Sequence, residues 1–266
     1  MTNRDLESAY RRALDAVPSL RGALCPEPGA TEFDGAALTD RAWLADRIAD
    51  TGRRWDSTDR RVNATLWWYS ASSTLLTIPV TLLLTAGVAP DPAPARSRCT
   101  LRPDGYLGTV RSDRALAEAR DVGRGLRGAL GSVIEVLAEL GGAGERALWA
   151  IATDSLGNRA LDAGTALGSP AAGSALAVRL GEAIGRPLPS PRFVDVDAVG
   201  RITADPFAAP ADGARRFVWR SSCCLIYETV PTQSADDPAA GEHAKCVSCP
   251  RQVPELRTAR LRALLG

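Results

Sequence analysis

Residues 64–90 read ATLWWYSASSTLLTIPVTLLLTAGVAP and contain no charged side chain. By its length alone, this segment could span a bilayer. Serine and threonine recur throughout it, however, and Pro79 lies near its centre. Small polar residues at this density favour a helix that packs inside a protein. We therefore predict a buried or kinked core helix, with peripheral membrane contact or a true membrane span as the alternatives.

Helical periodicity continues on both sides of this segment. Apolar residues recur at three- and four-residue intervals in five further stretches. These are residues 3–16, 40–51, 113–140, 145–167 and 170–184. A small terminal helix is predicted over residues 254–264.

Short strands and loops are predicted between the helices. Pro103-Asp104-Gly105 lies between the apolar runs 97–101 and 106–110, which predicts a β-hairpin because proline presets φ and glycine accepts a positive φ. Residues 192–203 are expected to form short strands, and residues 18–38, with several prolines and glycines, are expected to form a loop. The fold class expected is α+β, mainly α: a helical body with short antiparallel β-hairpins and a cysteine-rich C-terminal segment.

Composition and charge exclude several function classes. The chain has 266 residues, of which 45% are hydrophobic and 24% charged, as in an ordinary globular protein. The net charge of +1 lacks the basic excess typical of a nucleic-acid-binding protein, so no nucleic-acid partner is expected. His243 is the single histidine, which excludes a Ser-His-Asp hydrolase, a Cys-His protease and a multi-histidine metal site within this chain. The first residues contain no apolar signal segment, so we expect a cytoplasmic protein with reduced thiols.

Four of the six cysteines lie close together near the C-terminus. Cys223, Cys224, Cys246 and Cys249 form the pattern C-C-x21-C-x2-C. In a reducing compartment, a C-x2-C pair together with a second cysteine pair indicates a metal site. The side chains of adjacent cysteines diverge, which fits a single zinc ion poorly, whereas a [2Fe–2S] cluster offers four separate thiolate positions. Structural zinc and a redox-active thiol cluster remain the alternatives.

Basic residues surround these cysteines in the sequence. They are Arg215, Arg216, Arg220, Lys245 and Arg251. They could offset the negative charge of a cluster with four thiolates and raise its reduction potential, or they could simply be solvated surface charges.

The cysteine segment resembles a known signature. The run Arg220-Ser221-Ser222-Cys223-Cys224-Leu225-Ile226-Tyr227, followed by Cys246-Val247-Ser248-Cys249-Pro250, resembles the C-terminal motif of the FhuF-type ferric-siderophore reductases. In that family, the pattern C-C-x10-C-x2-C holds an unusual [2Fe–2S] cluster. The resemblance implies that Cys223, Cys224, Cys246 and Cys249 ligate such a cluster here. The longer spacing in this chain reads as a loop insertion at residues 231–241, and loop-closure entropy makes such an insertion inexpensive.

The resemblance also implies a function. It implies an oxidoreductase that reduces a ferric siderophore, of the hydroxamate type, by one electron and releases Fe(II) for iron assimilation. Residues 1–214 would then form the substrate-docking body, and residues 215–266 the [2Fe–2S]-binding segment. A ferredoxin, a flavodoxin or a flavoprotein reductase would supply the electrons, because no flavin or nicotinamide motif is found in the chain. The alternatives are an iron–sulfur electron carrier or redox sensor that acts on a protein partner, and a non-catalytic domain stapled by zinc.

Overall fold

The structure, a computed structural model, describes residues 3–229 and 244–265. In these ranges the chain is α+β and mainly α, as predicted. The helices are α1 Asn3–Ala16, α2 Arg21–Leu24, α3 Arg41–Arg54, α4 Arg60–Ala86, α5 Ala119–Gly141, α6 Glu145–Ala166, α7 Pro170–Ile184 and α8 Pro254–Arg262. The strands are β1 Thr31–Asp34, β2 Ala89–Pro90, β3 Ser97–Leu101, β4 Leu107–Ser112, β5 Ala115–Leu116, β6 Phe193–Val196, β7 Arg201–Thr203 and β8 Arg215–Val218.

Helix α4 is the central element of the body. The side chain of Asp59 caps it by accepting hydrogen bonds from the N–H groups of Arg61 and Val62, and the helix continues through Pro79 to the left-handed Gly87. It packs against α1, α3, α5 and α6. By length and composition it could cross a membrane, but more than half of its most apolar window is buried inside the protein. In this structure α4 is therefore the core helix that the sequence predicts.

The interface between α4 and α6 is mainly apolar and contains a few polar groups that are hydrogen-bonded. Trp68 is fully buried, and its indole N–H donates to the carbonyl oxygen of Leu148 in α6 at 2.8 Å. The hydroxyl groups of Ser72 and Ser155 lie 2.8 Å apart in the same interface. These bonds satisfy polar atoms that would otherwise be costly to bury.

Helices α6 and α7 approach each other closely at two glycines. A Cβ atom on Gly173 would lie 2.3 Å from the carbonyl oxygen of Ala160, and one on Gly164 would lie 2.7 Å from the backbone of Gly173. This close approach fixes the position of α7 against α6.

The small sheets confirm some predictions and correct others. The predicted hairpin forms as β3 and β4, and the predicted short strands form as β6 and β7. Residues 18–38 are not only a loop, because they contain β1, which pairs with β3. Helix α5 begins at Ala119 instead of residue 113, because β5 pairs with β2 just before it.

Strand β8 connects the body to the cysteine segment. It pairs antiparallel with β6, so that one sheet, in the order β7-β6-β8, contains residues from both sides of the predicted boundary at residues 214/215. Inside this sheet the guanidinium of Arg216 forms a two-point ion pair with Asp195, and both side chains are buried. The chain leaves β8 at Val218 and reaches Cys223 within five residues.

Candidate metal centre

The backbone before the cysteines is anchored to α6 by one buried carboxylate. Asp154, in the middle of α6, is 3% exposed. One of its oxygens accepts a hydrogen bond from the N–H of Ser221 at 3.1 Å, and the other accepts from the N–H of Ser222 at 2.9 Å. The hydroxyl group of Ser222 donates to the same carboxylate. Asp154 therefore fixes the peptide from which the two adjacent cysteines extend.

The four cysteines form two sulfur pairs, and each pair takes one member from each motif. Sγ of Cys223 lies 3.8 Å from Sγ of Cys249. Cys224 and Cys246 shift each other's pKa in opposite directions, as a hydrogen bond from the thiol of Cys224 to Cys246 would. The side chains of the adjacent cysteines thus point to different partners, as their neighbouring positions along the chain predict. Two sulfurs bound to one tetrahedral metal at about 2.3 Å would lie about 3.8 Å apart, which matches the spacing of the first pair.

The environment favours the thiolate form of Cys246. The hydrogen bond from Cys224 lowers the pKa of the Cys246 thiol to about 7, and the nearby Arg220 guanidinium acts in the same direction. The same hydrogen bond, together with burial, raises the pKa of Cys224. Burial also raises the pKa of Cys249. The pair Cys224–Cys246 therefore releases its first proton from Cys246.

Arg220 is the basic residue that contacts a cysteine sulfur. Its guanidinium is almost fully buried, and Nη1 donates to Sγ of Cys246 at 3.5 Å. Nη2 donates to the carbonyl oxygen of Ser222 at 3.2 Å, and Nε lies 3.6 Å from Asp154. The guanidinium also lies over the ring of Tyr69, 4.9 Å from its centroid. Burial works against the charge of Arg220, but Tyr69 and Asp154 together raise its pKa.

Arg257, in α8, is a second buried cation beside the thiols. It is 3% exposed and stacks on Trp219, with Cζ 3.6 Å from the ring centroid. Nη1 donates to the carbonyl oxygen of Arg220 at 3.1 Å, whereas Nε and Nη2 have no hydrogen-bond partner among the described residues. Burial and the charge of Arg220 lower the pKa of Arg257 to about 10, so it still carries its charge at neutral pH.

The other predicted basic residues have different neighbours. Arg216 is paired with Asp195, and Arg215 donates to the backbone of Leu264. Lys245 and Arg251 both lie beside the ring of Tyr227. Asp154 and Arg257 are not among the residues predicted from the sequence. A lone aspartate within the apolar stretch of α6 was the available signal for the first, whereas nothing in the sequence near Arg257 marks it.

The four cysteine thiols are the candidate donors at this site. Among residues 3–229 and 244–265, no three cysteine, histidine, aspartate or glutamate side chains form a group that could hold one metal ion. A [2Fe–2S] cluster takes four cysteine thiolates, two on each iron, which is the number of thiols at this site. Arg220 and Arg257 are buried here, and their charges are opposed by the carboxylate of Asp154 and, when it forms, by the thiolate of Cys246.

The remaining cysteines lie apart from these pairs. Cys99 is buried in the core, where burial raises its pKa to about 12, and Cys25 is half-buried near α2. Neither forms a disulfide bond, and we interpret both as small apolar side chains. His243 and the insertion at 231–241 lie outside the described residues.

No protein-family model and no curated protein matches this chain. The resemblance to the FhuF-type reductases therefore depends on the cysteine motif and its immediate sequence.

Proposed function

We propose that this protein is a [2Fe–2S] ferric-siderophore reductase in which Cys223, Cys224, Cys246 and Cys249 are the cluster ligands. The main support is the cysteine motif together with its geometry, in which Sγ of Cys223 lies 3.8 Å from Sγ of Cys249 and Arg220 donates a hydrogen bond to Sγ of Cys246. The buried guanidinium groups of Arg220 and Arg257 favour thiolates over neutral thiols at this site.

Each residue around the cluster has a distinct task. The two hydrogen bonds that Asp154 accepts hold Ser221 and Ser222 in place, so that Cys223 and Cys224 diverge from a fixed backbone. Arg220 donates a hydrogen bond to Cys246, and hydrogen bonds to ligand sulfurs raise the reduction potential of such clusters. The charge of Arg257, whose guanidinium donates to the backbone carbonyl of Arg220, adds to this effect.

The reaction requires one electron and no acid or base. When bound, the cluster would accept and pass on a single electron. The substrate gains that electron as Fe(III) becomes Fe(II), which hard oxygen donors hold far more weakly, and the iron is released. The electron comes from a one-electron carrier protein, such as a ferredoxin, a flavodoxin or a flavoprotein reductase. This scheme needs no catalytic histidine, in agreement with the composition.

Anaerobic purification with visible and electron-paramagnetic-resonance spectra tests the proposal. We expect a coloured protein whose reduced form gives the signal of one [2Fe–2S] centre, and which loses that signal as Fe(II) appears on addition of ferrioxamine. A colourless protein that contains zinc would contradict the proposal. A reduced cluster that never transfers its electron to a ferric chelate would favour an electron carrier or redox sensor instead.

Single substitutions test the ligand assignment. Replacing Cys223, Cys224, Cys246 or Cys249 by serine should each abolish or strongly weaken the cluster spectrum, because serine does not supply a thiolate. The matched controls are Cys99→Ser and Cys25→Ser, which remove thiols that lie apart from the pairs and should leave the spectrum unchanged. Four cysteine variants with the wild-type spectrum would show that the assignment is wrong.

A further inference from the structure

A surface pocket of about 360 Å³ opens directly onto Cys223. Its walls come from the start of α4, the junction between α5 and α6, and the two strands of backbone that carry the cysteines. Cys223 is half-buried, whereas Cys224 and Cys249 are buried, so the pocket gives access to one of the less buried ligands. A molecule in this pocket would therefore contact Cys223 itself.

Small residues and residues with hydrogen-bond donors line the pocket. Ala147 and Ala150 of α6, with the neighbouring Gly144, leave the space that larger side chains would fill. Arg61, Arg251 and Ser221 are among its lining residues. The hydroxyl group of Ser221 also lies 3.5 Å from the carboxylate of Asp154. Among the described residues, the lining contains no carboxylate, although Glu228 and Asp59 contact Arg61 from outside. Guanidinium groups donate only, so a ligand that fits must present acceptors.

We infer that this pocket is the docking site of the ferric chelate, which would present an oxygen-rich face to Arg61, Arg251 and Ser221 with its metal next to Cys223. This inference rests on the proposed function. The volume lies near the lower end of the range for small-molecule sites. The pocket therefore takes one face of a compact, metal-loaded chelate and leaves the rest of the chelate in solvent.

The test measures binding without electron transfer. The probe is the gallium(III) complex of a trihydroxamate such as desferrioxamine, because gallium(III) has the charge and oxygen preference of Fe(III) and is not reduced under these conditions. Calorimetric titration of the holoprotein should show binding of the gallium complex and weaker binding of the metal-free ligand, which lacks the compact form. A holoprotein with its cluster intact that binds no gallium complex would overturn the docking assignment and leave the cluster assignment untouched.

Two substitutions on α6 locate the site. Ala147→Trp should fill the pocket and weaken binding of the gallium complex by at least about tenfold, with an unchanged visible spectrum. Arg146→Trp is the matched control, since residue 146 is also exposed in the first turn of α6 but does not line the pocket. The inference is wrong if both variants bind like the wild type. It is equally wrong if Ala147→Trp leaves chelate binding unchanged and instead slows reduction by the donor protein, because the pocket would then belong to the donor.

Discussion

Helix α6 packs against two regions of the protein, and different interactions stabilise the two contacts. Towards α4 it buries an apolar surface centred on Trp68 and Leu148. Towards the cysteine segment it presents Asp154, whose carboxylate binds two backbone N–H groups and faces Arg220. The first contact is distributed over many apolar side chains, whereas the second includes a single buried carboxylate, that of Asp154.

This difference has consequences for stability. When an apolar side chain in an interface is truncated, the loss of stability grows with the surface and volume removed. Neighbouring residues can relax and offset part of this loss. A buried ion pair gains little over an apolar replacement, but removal of one partner leaves an uncompensated charge in a poorly solvated site. The body should therefore tolerate conservative changes, while the cysteine segment should be sensitive to single polar ones.

The largest effect is expected from Trp68→Ala. The substitution removes a fully buried indole and leaves the carbonyl oxygen of Leu148 without its donor, so the free energy of unfolding should fall by about 3–5 kcal/mol. Urea denaturation followed by circular dichroism measures this loss. Trp68→Phe keeps most of the apolar volume and should lose clearly less. Equal losses in the two variants would mean that the hydrogen bond, and not the packing, stabilises the α4–α6 contact.

Asp154→Ala tests the contact with the cysteine segment. It leaves Arg220 without its buried carboxylate and frees the N–H groups of Ser221 and Ser222, which should cost about 3 kcal/mol. Compared with the wild type, hydrogen exchange should become faster at the amides of Ser221 and Ser222 and change less at the amides of α6. Asp162→Ala is the control on the same helix, because its ion pair with Arg159 is partly exposed and should be worth no more than about 1 kcal/mol. Similar losses for both variants would contradict the role given to Asp154.

Gly173→Ala tests the close packing of the body at α7. The added Cβ would overlap the carbonyl oxygen of Ala160, so α7 must move, at a cost of about 1–3 kcal/mol. Thermal unfolding measures the change. Gly128→Ala, in α5, adds the same methyl group where no atom lies within 4 Å, and should stabilise the helix by about 0.5–1 kcal/mol. The prediction fails if the two substitutions shift the stability in the same direction.

The body was predictable because its signals are local. The charge-free stretch in α4 and the apolar periodicity of α5 follow from residues close together in the sequence, and Pro103-Asp104-Gly105 specifies its own turn. Strand β1 was missed because Pro26, Pro28 and the glycines around it resemble a loop. Its strand character comes from pairing with β3, which lies far away in the chain.

For the candidate centre, the sequence shows the cysteine motifs but not the contacts around them. The two cysteine motifs can be recognised in the sequence, but the way their sulfurs pair depends on how residues 220–225 and 245–250 meet in space. Proximity in the sequence does not show which of the five basic residues near the motif contacts a cysteine sulfur. Arg220 contacts a sulfur, Arg216 belongs to a separate ion pair, and Arg257, from the terminal helix, comes closer to the site than the sequence suggests.

The smallest effect that we predict concerns thiol reactivity in the metal-free protein. The pKa of Cys246 is lowered to about 7, so its thiolate should be well populated at neutral pH, and its alkylation rate should rise with a midpoint near that value. The pKa of Cys99 is raised to about 12 by burial, so this thiol should stay unreactive over the same range. Alkylation by iodoacetamide, followed residue by residue with mass spectrometry, gives both profiles. A midpoint for Cys246 at the ordinary thiol value of about 8.5 would contradict the prediction.

Two substitutions at Cys224 separate the causes of this shift. Cys224→Ser keeps a hydroxyl group that can donate to Cys246, so the midpoint should stay low, whereas Cys224→Ala removes the donor and should raise it. The nearby Arg220 remains in both variants, so the midpoint of Cys224→Ala should still lie below the ordinary thiol value. If Cys224→Ala has no effect, the arginine alone accounts for the acidity of Cys246. The positive charge of Arg220, and not a hydrogen bond from Cys224, would then be the main cause of the lowered pKa of Cys246.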